Sequence, residues 1–398
     1  MNDLPALLGN SPIFDNMIPI ARPTLPEYSE LADQFRNIVQ TGILTKGSYL
    51  RDFEEMVSEH LGVEHAVAVS SCTSGLMLTY QAARLRGDVV VPSFTFMATV
   101  GALRWAGLRP VFADVGRDTI NLDPRSAEAA ITPSTTAIVA THNFGNPAEI
   151  EDLQTLADRH NLSLIFDAAQ AFGSLYRGRP VGPQGDAQVF SLSPTKLVVA
   201  GEGGIVATKD HEIAERVRIG REYGNRGDYD SAVPGINARL TELNALLGQH
   251  GLKQLESAAR HRNKIASLYR EQLSGLPGVA FQEVRDGDRS SYNYFAIVID
   301  PEVFGLTRDD LAAVLAAENI ETRKYYDPPV HRQSAYSSNG LHDNTLRNTE
   351  HLASRILILP LWSHMDHSIA SDICSAIERA YRFAERIKTV PQRGGSAC

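Results

Sequence analysis

The sequence predicts an α/β protein: a large unit with a mostly parallel central sheet flanked by helices, then a smaller C-terminal α+β unit. Three observations predict it. Short, nearly continuous apolar runs recur between residues 66 and 208. Helix-period segments separate most of them. Beyond about residue 272 this alternation gives way to a sparser mixture of strands and helices. Strands that are apolar along their whole length are buried on both faces, the signature of a parallel sheet covered by helices.

The elements follow in order. Residues 1–25, rich in Pro and Asn, read as an N-terminal arm. A helix is predicted from about Glu27 to Gln40, then the Gly-bounded loop TGILTKGS. RDFEEMVSEHLG reads as an amphipathic helix ended by Gly62. The predicted strands are AVAVS (66–70), VVVP (89–92), PVFAD (110–114), AIVAT (137–141), LSLIFD (162–167), QVFS (188–191) and GIVAT (204–208). SGLMLTYQAARLR and IEDLQTLADRH are helical segments between them. A long helical stretch covers 239–272. After it, VAFQEV and NYFAIVID read as strands, LTRDDLAAVLAAEN as a helix, ETRKYY as a strand and SIASDICSAIERAYRFAERI as a closing helix. The predicted organisation is an arm over 1–25, a large α/β domain over 26–255, a small α+β domain over 256–390 and a disordered tail over 391–398.

Bulk properties narrow the function. The chain has 398 residues, 43% hydrophobic and 21% charged, with a formal net charge of −9. That balance argues against a general nucleic-acid binder, which carries a basic footprint, but a local site can still take anions. Cys72, Cys374 and Cys398 are too few and too scattered for a disulfide framework or a zinc site, so no metal is expected. No run reaches the roughly 18 apolar residues of a membrane helix. No signal peptide is evident in MNDLPALLGNSPIFDN. The expectation is a cytoplasmic protein.

Ligands of open α/β sheets bind beyond the carboxyl ends of the strands, so the polar residues that follow the apolar runs matter most. After AVAVS comes SCTSG, residues 71–75. Its hydroxyls suit a phosphate held at a helix N-terminus, though Thr73 or Ser74 could equally be a plain N-cap. Neither a GxGxxG nor a GxxxxGK[ST] motif is present, which leaves Rossmann and P-loop readings without support. Asp167 ends LSLIFD. It is either the cap of the next helix or a carboxylate set to receive a cationic group. Lys196, in FSLSPTKLVVAGEGG, is the one charged residue between Asp186 and Glu202. Among Leu192, Pro194, Leu197 and Val198, its amine would be partly desolvated, which lowers a lysine pKa and favours Schiff-base chemistry. The alternative is a lysine that snorkels to water. Together, a phosphate turn, a strand-end carboxylate and a Schiff-base lysine are what pyridoxal 5′-phosphate requires.

On these residues the chain resembles the DegT/DnrJ/EryC1/StrS family of sugar aminotransferases, of the aspartate-aminotransferase-like fold (fold type I). The resemblance runs from about IPIARPTLP to LILPLWSHM. Its most specific pieces are PSFTFMATVGALRWAGLRPVFADV and the FS..PTK...GEGG block. It implies that Lys196 holds pyridoxal phosphate as a Schiff base, and that Asp167 pairs with the ring nitrogen. Gln170 lies near the cofactor's 3-hydroxyl, and Phe96 stacks on the ring. Thr73, Ser74 and Ser191 bind the phosphate, with Asn237 reaching the phosphate of a neighbouring subunit in a homodimer with shared active sites. His331 lies at the sugar end of the pocket. Read without the family, Phe96 could be core, His331 surface, and Asn237 a turn residue after Gly235.

Two positions depart from the family pattern. Cys72 stands where Gly is usual, and Ser193 where many members carry His or an aromatic residue. Because that neighbour contacts substrate, Ser193 bears on which sugar carbon is aminated. The implied reaction is a ping-pong transamination from an amino acid, glutamate, to a nucleotide-diphosphate-linked keto-sugar. A keto-cyclitol acceptor stays open. A sugar dehydratase of the same fold would carry His in place of the lysine, so Lys196 argues against it. Asp167, Gln170, Ser191 and Lys196 together argue against a degenerate regulatory scaffold.

Overall fold

The apolar runs pair into one seven-stranded sheet and, beyond it, a three-stranded sheet. The computed structural model describes residues 4–337 and 346–390; the tail expected over 391–398 lies outside them. In chain order the strands are β1 (His65–Val69), β2 (Asp88–Pro92), β3 (Arg109–Ala113), β4 (Thr135–Thr141) and β5 (Ser163–Asp167). A short ribbon, β6 (Leu175–Tyr176) and β7 (Arg179–Pro180), precedes β8 (Ala187–Ser191) and β9 (Gly204–Thr208). The small sheet is β10 (Val279–Phe281), β11 (Phe295–Ile299) and β12 (Ile356–Leu359).

The large sheet has the order β1-β9-β8-β5-β4-β2-β3. Its neighbours are parallel from β8 to β3; β9 runs against both β1 and β8. Val67, Val69, Val89, Val91, Val139 and Val189 face one buried layer, while Ala68, Val90, Ile138, Ala140, Phe166 and Phe190 face the other. This two-sided burial is why the strands read as continuous apolar runs instead of alternating ones.

Helices cover both faces. Cys72–Ala82 and Met97–Trp105 lie on one, Ser48–Leu61 and Ile150–His160 on the other. The helix Glu242–Leu273 links the two units. Leu252, Leu255 and Ala259 join the core of the large sheet, whereas Ile265, Ala266, Tyr269 and Leu273 join that of the small one. The N-terminal segment packs on the small unit. Ile18 N–H donates to Asn319 O at 2.8 Å, and the buried Glu318 carboxylate accepts from the N–H groups of Ala6 and Ile13.

One element differs from the sequence reading. ETRKYY is not a strand of the sheet; it makes a single bridge, Arg323 to Ile358. The third strand is β12, which pairs with β11. The physical reason is burial: β12 is apolar and buried at every residue, while residues 321–326 open with Glu321, Arg323 and Lys324 and then leave the sheet edge to carry Tyr325 and Tyr326 elsewhere.

Gly204 opens β9 directly under the turn that follows β1. A Cβ there would lie 2.7 Å from Cys72 N and 2.8 Å from the Ser71 carbonyl carbon, and backbone cannot step aside as a side-chain tip can. Gly204→Ala is therefore expected to destabilise the protein by about 1–3 kcal/mol. Gly275→Ala, with nothing within 4 Å of the added carbon, should fall within about 0.5 kcal/mol of the parent. Denaturant unfolding of both variants checks the pair.

Candidate active site

The strands from β8 to β3, together with β1, end at the same edge of the sheet, and their loops enclose a pocket of about 370 Å³. Ser71, Cys72 and Thr73 enter it after β1, Phe96 and Ala98 after β2, Asp167, Ala169 and Gln170 from β5, and Ser191, Ser193 and Lys196 from β8. Tyr294, Tyr325 and Tyr326 enter from the small unit. A larger depression of about 620 Å³ lies near the opposite ends of β2 and β3, lined by Gly87, Trp105 and Leu108 among others. Neither a lysine nor a carboxylate lines it, whereas Lys196 and Asp167 both line the smaller pocket.

Lys196 sits in a loop pinned from behind. Leu197, Val198 and Ala200 are buried in the large core. Ala200 N–H returns to Leu192 O at 2.9 Å, and Asn244 on the long helix donates to Ala200 O. The apolar neighbours read in the sequence are thus the anchor of the loop. Among the described residues, the Lys196 amine makes no hydrogen bond or ion pair; its nearest aromatic face is Tyr294, 5.9 Å from the ring centroid. Burial pulls its pKa down from 10.5 to about 8, against smaller opposing pulls from Cys72 and Asp167.

Asp167 is buried and supplied with donors. Thr99 Oγ1 donates to its Oδ2 at 2.6 Å and Ala169 N–H to its Oδ1 at 3.1 Å. Burial raises its pKa, while the Thr99 and Ala169 hydrogen bonds and the Lys196 charge pull it back. Cys72 Sγ lies 4.0 Å from Oδ1, and burial first, then Asp167, raise the thiol pKa well above its usual value. A thiol held protonated is a poor nucleophile.

Gln170 is fully engaged: Oε1 accepts from Phe144 N–H at 2.6 Å, and Nε2 donates to Tyr326 Oη at 2.9 Å. Ser191 and Ser193 have hydroxyls 3.3 Å apart. Phe96 is half exposed at the rim. Ser71 caps the helix Cys72–Ala82 by accepting from Ser74 N–H at 3.0 Å, and the first N–H groups of any helix lack intrahelical acceptors.

Three expected site residues stand apart from the lining. The Ser74 hydroxyl belongs to the cap, accepting from Ser71 N–H at 3.1 Å and donating to Ser71 O at 2.9 Å. Asn237 is exposed. His331 is buried outside the lining, with Nδ1 2.6 Å from Ser93 Oγ and Nε2 2.7 Å from Glu350 Oε1. The sequence reading passed over Thr99, Tyr294, Tyr325, Tyr326 and Glu202. Thr99 could have been found, because it falls one helical turn after Phe96 in the specific run PSFTFMAT. The tyrosines carry no local signal, since only tertiary packing brings them in.

A lysine amine without a hydrogen-bond partner among the described residues and a donor-held carboxylate, at the strand ends of this fold, define a fold type I, pyridoxal phosphate-dependent aminotransferase. Comparison agrees: the model of the DegT/DnrJ/EryC1/StrS aminotransferase family matches residues 27–378, and the chain belongs to that family. It is 34% identical over 364 residues to the dTDP-4-amino-4,6-dideoxy-D-glucose transaminase of Escherichia coli, covering 90% of this chain and 97% of that one. It is also 34% identical over 353 residues to the dTDP-3-amino-3,4,6-trideoxy-alpha-D-glucose transaminase of Streptomyces venezuelae, covering 88% and 91%. The crystal structure of DesI in the presence of its TDP-sugar product matches with a TM-score of 0.89 and 37% identity over 96% of both chains. Among the described residues no helix is long and apolar enough to cross a membrane.

The lowered amine pKa has a chemical consequence. At pH 8 in the cofactor-free protein, about half of Lys196 is neutral. An amine-selective reagent small enough to enter the pocket should modify Lys196 with a half-maximal rate near pH 8, read by peptide mass spectrometry against the exposed Lys253. A rate that keeps climbing to pH 10 would show an unperturbed amine.

Proposed function

We propose that this chain transfers an amino group from an amino acid, glutamate, to a keto-sugar carried on a nucleotide diphosphate, using pyridoxal 5′-phosphate. The observation that carries the reading is the meeting, in one pocket, of a lysine amine without a hydrogen-bond partner among the described residues and a buried carboxylate supplied with donors. The relatives' names supply the substrate class: both transaminases cited above are named for dTDP-linked amino sugars.

The residues fit the cofactor. Lys196 answers its aldehyde and Asp167 its ring nitrogen. Ser191, Thr73 and the open N–H groups at the start of Cys72–Ala82 answer its phosphate. Phe96 offers a ring face at the rim, and Gln170, from the loop after β5, is bonded to Tyr326 of the small unit's wall. When bound, pyridoxal phosphate supplies an aldehyde that takes up amines and an electron-poor ring that stabilises negative charge on the adjoining carbon.

The protein's own part is proton movement and orientation. With the cofactor bound, the Lys196 Nζ amine would take the proton from the donor Cα and return it two bonds away, on the carbon across the donor nitrogen. A pKa near 8 suits that task, because the amine is part neutral and still basic at working pH. Asp167 keeps the ring nitrogen paired with negative charge throughout. Asn237, exposed and away from its own pocket, serves the phosphate of a second subunit in a homodimer. Ser193, small and half-buried beside Lys196, leaves room for the sugar and bears on which carbon is presented.

The experiment is direct. Purified protein mixed with pyridoxal phosphate should gain visible absorbance, and glutamate should bleach it. A panel of dTDP-linked keto-sugars and keto-cyclitols should then restore it, with the aminated product identified by mass spectrometry. Lys196→Ala should lose at least about 10²-fold in turnover while still binding pyridoxamine phosphate. Absence of any visible band would sink the assignment, and restoration by a cyclitol alone would move the acceptor.

A further inference from the structure

We propose that Thr95 and Thr99 form a one-way hydroxyl relay that holds Asp167 as a carboxylate, making Thr99 the positioning residue for the group that meets the cofactor's ring nitrogen. The inference rests on the pyridoxal phosphate reading above and extends it to residues outside the lysine and the phosphate turn.

The geometry sets the direction of the relay. Thr99 Oγ1 lies 2.6 Å from Asp167 Oδ2 and 2.9 Å from Thr95 Oγ1. Both threonines are buried, at 0% and 2% exposure. An ionised carboxylate has no hydrogen to give, so Thr99 must donate to it. A hydroxyl has one hydrogen, so Thr99 can only accept from Thr95, and Thr95 must donate. Reversing the chain would need a protonated Asp167. Each bond therefore favours the charged acid, and the second polarises the first.

Helical threonines usually turn their hydroxyl back on their own helix. Thr79, in the neighbouring helix, does so, donating to Gly75 O at 2.7 Å. Thr99, near the start of Met97–Trp105, instead reaches across to β5.

The relay is needed because little else favours the charge. The titratable groups facing Asp167 are Lys196 from the loop after β8, Cys72 and Tyr80 from Cys72–Ala82, and Tyr326 from the small unit. Burial raises the pKa of the last three, so they stay neutral. That leaves Lys196 as the cation, together with the two hydrogen bonds from Thr99 and Ala169.

Thr141 is a matched control. It is buried and aligned with Asp167 across β4 and β5, but its hydroxyl makes no hydrogen bond among the described residues. The test is equilibrium binding of pyridoxal phosphate by the cofactor-free protein as a function of pH. Thr99→Val should move the acid limb, where affinity falls with pH, upward by about one to two pH units, the size of a charge-assisted hydrogen bond. Thr95→Val should move it the same way by less. Thr99→Ser should restore the parent profile, and Thr141→Val should keep it. An unmoved limb in Thr99→Val, no rescue by serine, or an equal shift in Thr141→Val would overturn the relay while leaving the cofactor reading intact. A parent protein that binds no pyridoxal phosphate at any pH would overturn both.

Discussion

Two opposite demands meet in one pocket. A Schiff-base lysine must shed its proton, and the carboxylate beside it must not gain one. Burial alone drives both groups to neutrality, so the site has to treat them differently. Lys196 receives no hydrogen-bond partner among the described residues, and its pKa falls to about 8. Asp167 receives Thr99 and Ala169 as donors, which work against the rise that burial causes. The surrounding architecture serves this asymmetry. Leu197 and Val198 sink into the core so that the lysine loop cannot drift outward. Gly204 lets β9 lie against the Ser71–Cys72 turn.

The pocket also depends on the smaller unit. Its wall of Tyr294, Tyr325 and Tyr326 follows chain segments that join the small sheet, and the Gln170–Tyr326 hydrogen bond ties that wall to the floor. Arg262, buried within the long helix, donates to Tyr292 O, Asn293 O and Ser363 Oγ. Burial lowers its pKa to about 10, so it is still charged at neutral pH. A buried cation spending its donors on carbonyls fixes backbone geometry. Here the backbone so fixed leads directly into Tyr294. The same helix packs against both sheets, so the distance between wall and floor is set by one continuous rod.

This division explains what could be read from the sequence. The strands of the large sheet were legible because they are apolar on both faces, and their ends fall within a residue or two of the runs in the sequence. Asp167 was legible because it ends such a run, and Lys196 because it stands alone in an apolar stretch; Gln170 and Ser191 came from the resemblance, and the structure brings all four into one pocket. ETRKYY misled because its aromatics suggest a strand, whereas they are spent on the pocket wall. β12 was overlooked because ILIL merges into the helix before it. The roles expected of Ser74 and His331 rested on resemblance, while the structure shows their polar atoms committed to a cap and to a Ser93–Glu350 bridge.

Under the proposed function the floor is given over to the cofactor, so freedom to choose a substrate must lie elsewhere. Lys196, Asp167 and the turn after β1 would answer fixed atoms of pyridoxal phosphate and have little room to vary. Ser193 and the tyrosine wall answer none of them. A sugar presents apolar C–H faces and a pattern of hydroxyls, and a tyrosine offers a ring face and a phenol to match both. Tyr326 spends its phenol on Gln170, which leaves its ring, stacked 5.8 Å from Phe144, as a rigid panel. Tyr325, half-buried and stacked 5.6 Å from Tyr326, is the more adaptable of the two. Under the proposed reading, the small residue at 193 gives the sugar its space and these rings set how it turns within that space. Under that reading the choice of carbon rests on Ser193 together with packing from the small unit, while the amine and the carboxylate come from the sheet.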